Sequence, residues 1–170
     1  MKNLSYYRNQ ELTIVQPSLM KRECELVSPD GVLIKAYFPK WHKGDAVIEG
    51  FGGKWNVRKP SIWRSDIEVI KEGYNYPVAK YVGRAFITEG TIELPRGVRL
   101  KFEYRVFKGI YTIFTDTSEE LLVIKQKRVM KKNAVITLGR KTDILDEYPW
   151  LPLLVWYIMI QNQNHSIAVT

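Results

Sequence analysis

At 170 residues, with 45% hydrophobic and 26% charged side chains, the chain has the composition of one globular domain, which excludes a disordered polymer. Its single cysteine, Cys24, excludes an internal disulfide framework and fits a reducing compartment. The formal charge of +8 points to partners that carry negative charge.

The first ten residues are polar, with Tyr6, Tyr7 and Arg8, and hold no apolar stretch of the kind a secretory signal needs, so a cytoplasmic location is expected. From there to residue 138, short runs rich in Val, Ile, Tyr, Phe and Thr are punctuated by turn residues, the pattern of strands and hairpins. Ser28-Pro29-Asp30-Gly31 separates residues 21–27 from 32–38, and Gly50-Phe51-Gly52-Gly53 separates 46–49 from 55–58. Glu72-Gly73-Tyr74-Asn75 lies between 67–70 and 78–82, and Pro95-Arg96-Gly97 between 91–94 and 98–106. Lys108-Gly109 leads into 110–115, and the runs 121–125 and 134–138 complete the series. Within 101–106 the side chains alternate, with Phe102, Tyr104 and Val106 on one face and Lys101, Glu103 and Arg105 on the other. Cys24 falls inside one of these runs and is expected to pack as a small apolar residue. Tight turns imply an antiparallel meander, because parallel neighbours need crossovers of about a dozen residues or more.

The end of the chain breaks this rhythm. Asp143, Asp146 and Glu147 are followed by Pro149 and Pro152, and then Leu153-Leu154-Val155-Trp156-Tyr157-Ile158-Met159-Ile160 runs without a charge. Acids ahead of a helix and prolines in its first turn are start signals, so a helix is expected over 149–162. Asn162 or Asn164 is its expected cap, and 163–170 a polar tail. A helix apolar on every side must be covered on every side. The apolar run from 150 to 160 is too short to cross a bilayer, which takes about 20 residues, so the cover is protein. In this chain that means a closed sheet, and eight strands are filled by their own side chains. The expected fold is therefore mainly β: a single domain over 1–170, with strands over about 12–138 forming a closed antiparallel barrel of about 10–12 strands that encloses the C-terminal apolar α-helix.

Three stretches carry a family likeness: Ile14-Val15-Gln16-Pro17; Glu25-Leu26-Val27-Ser28-Pro29-Asp30-Gly31-Val32-Leu33; and Asp146-Glu147-Tyr148-Pro149 running into the apolar helix. With the order of elements, they make the chain resemble the tubby C-terminal superfamily, which includes tubby proteins, phospholipid scramblases, LURP-one-related proteins and bacterial relatives. The resemblance implies a barrel threaded by a helix. It also implies binding of phosphoinositide headgroups, as in tubby proteins, or association with anionic membranes and calcium, as in scramblases. No ligand residue of the family is matched to a position in this sequence.

Charge placement is the stronger signal within the chain itself. Lys125, Lys127, Arg128, Lys131, Lys132, Arg140 and Lys141 lie in one window that holds no acid, leaving 19 basic residues against 18 acidic ones elsewhere. Such a window attracts anionic lipid headgroups or other phosphorylated ligands. It would equally serve as a solubilising hairpin that keeps an edge strand from pairing. A single-stranded nucleic-acid platform is the alternative function, built on Trp41, Trp55 and Trp63 with Tyr37, Phe38 and Phe51, interleaved with Lys54, Arg58, Lys59 and Arg64. Barrel core is the commoner use of such aromatics.

Other motifs are weak. Gly50-Phe51-Gly52-Gly53-Lys54 lacks the spacing of a phosphate loop and reads as a hairpin turn. Asp116-Thr117-Ser118-Glu119-Glu120 lacks the glycine and acids of an EF-hand. His42 and His165 stand in no His/Cys/carboxylate cluster, and no nucleophile motif is visible. The sequence reads as a non-enzymatic binding protein with no cofactor, no metal site and no transmembrane segment, peripheral at a membrane where the ligand is a lipid.

Overall fold

The computed structural model describes residues 2–16, 22–40, 44–61, 65–83, 88–127, 134–140 and 143–167. Twelve strands follow one another: β1 (Leu12–Val15), β2 (Glu23–Ser28), β3 (Gly31–Lys40), β4 (Asp45–Gly50), β5 (Gly53–Arg58) and β6 (Ile67–Lys71). The second half comprises β7 (Ala79–Gly83), β8 (Glu89–Glu93), β9 (Arg99–Arg105), β10 (Ile110–Phe114), β11 (Glu120–Gln126) and β12 (Ala134–Leu138). Each strand pairs antiparallel with its neighbours in sequence, and β1 pairs with β12 through Leu12↔Ile136, Thr13↔Val135 and Ile14↔Ala134, which closes the barrel. The closed antiparallel barrel expected from the sequence is the observed fold.

Period-two alternation decides which residues turn inward. On β1 Leu12 and Ile14 are buried, on β2 Cys24 and Leu26, on β4 Ala46 and Ile48, and on β6 Ile67 and Val69, while the residues between them are more exposed. The β4–β5 hairpin shows how local chemistry sets the register. Phe51 and Gly52 take φ of 50° and 71°, so a two-residue loop with both φ positive joins the pair Gly50↔Gly53, the turn that matches strand twist. No helix follows it, and the glycine-rich stretch is a hairpin turn.

Two helices follow the strands: α1 (Asp143–Glu147) and α2 (Leu151–Ile167). Along α2, Leu151, Leu153, Leu154, Val155, Trp156, Tyr157, Ile158 and Met159 are each 2% exposed or less, so no face of this stretch meets solvent. By area, each large side chain buried in this way stabilises the fold by about 1.5–3 kcal/mol before entropy is counted. The helix enters where β12 finishes, and its first turn carries Pro152, whose missing N–H deletes no bond there. At the opposite end the Tyr157 hydroxyl donates to the Gly44 carbonyl, and its ring stacks on Phe38 with centroids 6.4 Å apart. At the end where α2 enters, a single 3-10 turn, Leu4–Tyr7, packs on α1, and the Ser5 N–H donates to Asp146 Oδ1 at 2.8 Å.

Two boundaries differ from expectation. The α2 helix starts at Leu151 and continues through Ile167, so neither Asn162 nor Asn164 caps it and residues 163–167 belong to the helix. Gln and Asn each cost only about half a kcal/mol in helix propensity, and no Gly or Pro interrupts the ladder there. Strand β9 ends at Arg105, and Val106 leaves the face it was expected to share with Phe102 and Tyr104. It begins a 3-10 turn over Val106–Lys108, closed by Gly109 at φ 61° and ψ 36°, and is 53% exposed. No helix among the described residues is long and apolar enough to cross a membrane.

Candidate functional site

In an antiparallel barrel the connections after β9 and after β11 lie at the same end. Next to them, on the outer wall, β10, β11 and β12 run side by side. Register places Ile110 opposite Lys125 and Lys125 opposite Val135, while Val123 stands opposite Thr137. These outward positions form the floor of a groove of about 790 Å³. Phe107, Lys108, Lys125 and Lys127 complete its lining with Gln126. A smaller hollow of about 280 Å³ adjoins it, bounded by Tyr104, Val106, Gly109 and Gln126. Phe107, Lys108 and Lys127 border both.

The turn between β9 and β10 presents its side chains because it is short and tightly closed. The Gly109 N–H bonds back to the Val106 carbonyl, and the left-handed Gly109 lets the chain reverse at once. Nothing in so small a loop can fold over Phe107, which is 96% exposed.

Of the seven basic residues singled out in the sequence, Lys125 and Lys127 stand on this groove, both exposed. Arg140 is exposed beyond the far end of β12, away from the groove. Arg128, Lys131, Lys132 and Lys141 lie outside the described residues. The third cation at the groove is Lys108, which the sequence reading treated only as a turn residue.

Elsewhere on the outer wall, charges cancel between neighbouring strands or, for Lys101 and Glu103, along a single strand. Lys35 meets Glu25 at 2.8 Å, Arg58 meets Glu68 at 2.8 Å, Lys80 meets Asp66 at 3.3 Å and Lys101 meets Glu103 at 2.6 Å. Lys54 pairs with Glu72 at 3.1 Å, and hydrogen bonds to their carboxylates raise the pKa of Lys54 and of Lys35. Exposed pairs of this kind contribute about 0–1 kcal/mol each, so their consequence is local neutrality more than stability. Among the described residues no ion pair includes Lys108, Lys125 or Lys127. Nor do these lysines guard an edge. β11 is paired with β10 and β12, and β12 with β11 and β1, so the closed barrel leaves no unpaired strand there to protect.

The remaining candidates take structural places. Trp55 and Phe38 are buried in the barrel, and Tyr37 and Phe51 are half-buried, so the described aromatics of the first half do not stand together as an open stacking platform. Trp41, Trp63 and Arg64 lie outside the described residues, as does His42; His165 is on α2. Cys24 is buried on β2, and burial pushes its thiol well above the ordinary range, which holds it protonated and unreactive. In the acidic turn, Thr117 Oγ1 donates to the Glu119 carboxylate at 3.2 Å and Thr115 Oγ1 accepts from the Glu119 N–H, the bonding of a closed turn. Among the described residues no three His, Cys, Asp or Glu side chains come together in a way that could hold a metal ion.

No protein-family profile matches this chain, and no curated protein matches it. Among solved structures, an X-ray structure of a protein from Arabidopsis thaliana superposes with a TM-score of 0.59, covering 89% of this chain and 91% of that one at 11% identity. The likeness is one of fold. It extends over nearly the whole of both chains, so the barrel and its helix form a unit that recurs at very low sequence identity.

Proposed function

We propose that the protein is a non-enzymatic, tubby-like binding barrel that takes an anionic, phosphate-bearing ligand on its outer wall, a lipid headgroup or another phosphorylated molecule. The observation that carries this reading is the contrast between Lys108, Lys125 and Lys127, which gather on one groove with no ion-pair partner among the described residues, and the neighbouring wall, where lysines meet carboxylates. Three like charges on one patch repel one another, and an incoming anion relieves that repulsion. Near an anionic surface each contributes about 1 kcal/mol, an effect screened within a Debye length of about 8 Å at physiological salt. The basic stretch continues in sequence through Arg128, Lys131 and Lys132, which adds to the same field. The arrangement of twelve strands around a C-terminal helix is the one the tubby resemblance implies, and it supports a binding role in keeping with that resemblance.

The test is sedimentation with liposomes containing phosphatidylserine or a phosphoinositide at two salt concentrations, beside titration with inositol hexakisphosphate. Binding should weaken as salt rises. It should be lost when Lys127, Arg128, Lys131 and Lys132 are changed to Glu, and weakened when Lys108 and Lys125 are changed. Undiminished binding in both variants, or no binding of any of these anions by the native chain, would rule the reading out.

A further inference from the structure

Phe107 is the most exposed large hydrophobic residue among those described, at 96%, and its neighbour Val106 is 53% exposed. Single apolar side chains on a surface are ordinary. This pair differs from the others in three respects. The two residues are adjacent at the tip of a turn, Phe107 borders a groove floored by Ile110, Val123 and Val135 while Val106 borders the hollow that adjoins it, and they are flanked in sequence by Arg105 and Lys108. By contrast, the exposed Tyr74 and Tyr76 carry hydroxyls, and Lys71 stands over the Tyr74 ring. An apolar tip collared by cations has the chemistry of a bilayer interface, where the rings enter the acyl boundary and the ammonium groups stay at the phosphates.

We infer that the β9–β10 turn is a membrane wedge: Val106 and Phe107 enter the outer apolar layer of an anionic bilayer while Lys108, Lys125 and Lys127 hold its headgroups. The inference rests on the anion-binding reading above and narrows its ligand to a lipid surface. Charge complementarity selects this occupant. Among the described residues the groove presents three cations without ion-pair partners and no acid, whereas an apolar pocket on a partner protein would receive Phe107 without any need for them. Each lysine near the anionic surface is worth about fivefold in affinity, and withdrawing a phenyl group from water adds about tenfold or more. Either contribution alone gives weak, transient binding, and the two together give a stable association.

The experiment uses the full chain with phosphatidylcholine vesicles, with and without phosphatidylserine, and with inositol hexakisphosphate as a soluble anion. Phe107→Ser should weaken binding to phosphatidylserine vesicles about tenfold, a far larger loss than any in inositol hexakisphosphate binding, and leave thermal unfolding unchanged, since the side chain is 96% exposed. A Val106→Cys variant carrying an environment-sensitive dye should shift to the blue on phosphatidylserine vesicles and not with the soluble anion. Cys24 does not compete for the label, being 2% exposed. Equal vesicle affinity in the Phe107→Ser variant, or no spectral shift, overturns the wedge. If Lys125→Glu with Lys127→Glu still abolishes binding in that case, the anion site stands without it. Native protein that binds the soluble anion but no vesicle has the same meaning, and native protein that binds neither removes both proposals.

Discussion

Alanine substitution at five successive positions of α2 tests the enclosed helix directly. Leu153, Leu154, Val155, Trp156 and Tyr157 are separated by roughly 100° per residue, so together they sample the full circumference. All five are 2% exposed or less. A helix lying on one open sheet would bury about half of them, and truncation on its free face would cost within about 0.5 kcal/mol. Within a closed wall every position loses both transfer energy and packing, and the ring of paired strands cannot collapse into the space left behind. Leu153→Ala and Leu154→Ala should each cost about 3–5 kcal/mol, Trp156→Ala about the same, and Val155→Ala roughly 2 kcal/mol from its two lost methyl groups. Total stability of such a domain is about 5–15 kcal/mol, so some of these variants will fold poorly. Ile158→Val, at about 0.5–1.5 kcal/mol, gives a milder point on the same circle. Urea unfolding with an unchanged m-value provides the numbers. Costs that rise and fall with a period of three to four residues, reaching a minimum below about 0.5 kcal/mol, would refute the enclosed helix.

Alkaline pH should unfold the protein early. Burial raises the Cys24 thiol above its ordinary 9.0 and pushes the Tyr81 hydroxyl up from 10.0 to about 12. Between the unfolded and folded values the native chain binds more protons than the unfolded chain, so stability is complete below about pH 9 and falls by up to about 1.4 kcal/mol per pH unit per group above it. The midpoint of urea unfolding followed from neutral to alkaline pH should show this, and Cys24→Ala should delay the onset; a flat profile would contradict it. Gly139→Ala places a Cβ 1.7 Å from the Glu120 carbonyl oxygen, a backbone atom that cannot step aside, so a loss of about 3 kcal/mol is expected and an unchanged Tm is not. Asp146→Ala removes the carboxylate that accepts the Ser5 N–H, which should cost about 1–3 kcal/mol and speed hydrogen exchange at Ser5 while leaving the strands protected.

Much of the barrel was legible because its signals are local. The Gly50-Phe51-Gly52-Gly53 turn, the Asp30-Gly31 turn and the alternation through β9 each depend on a few adjacent residues. The uninterrupted apolar run of α2 carried the tertiary inference, since nothing but an enclosing sheet could cover it. Even the burial of Trp55 could have been read from Lys54-Trp55-Asn56-Val57-Arg58, where the tryptophan shares its face with Val57 and not with the charges. What escaped was lateral. The groove exists because β10, β11 and β12 stand side by side, which sets Ile110, Lys125 and Val135 in one row from separate parts of the chain. Its Lys108 belongs to a turn that begins at Val106, which read as the last residue of a strand. The adjacent apolar pair just ahead of Lys108-Gly109 was the available clue, because a reversing chain has little room to bury either residue. The ion pairs that neutralise the rest of the wall depend on register, which composition does not record.

The filled interior constrains where this protein can act. Barrels that carry ligands internally keep space between their walls, whereas here Trp156, Tyr157 and their neighbours on α2 take up the lumen. A ligand seeking the inside would have to displace a helix in which eight large side chains are withdrawn from water, at a cost no single small molecule repays. On the binding reading proposed above, recognition would therefore fall to the outer wall and the connecting turns. On that wall, paired charges present little net field, and the place where field and apolar surface coincide among the described residues is the groove of Lys108, Lys125 and Lys127 beside Phe107. Of the three cations, Lys125 is carried by β11, paired on both sides, while Lys108 and Lys127 stand on the neighbouring turn and just past the strand's end, so on the reading proposed above an anion would meet charges that the barrel has already brought together.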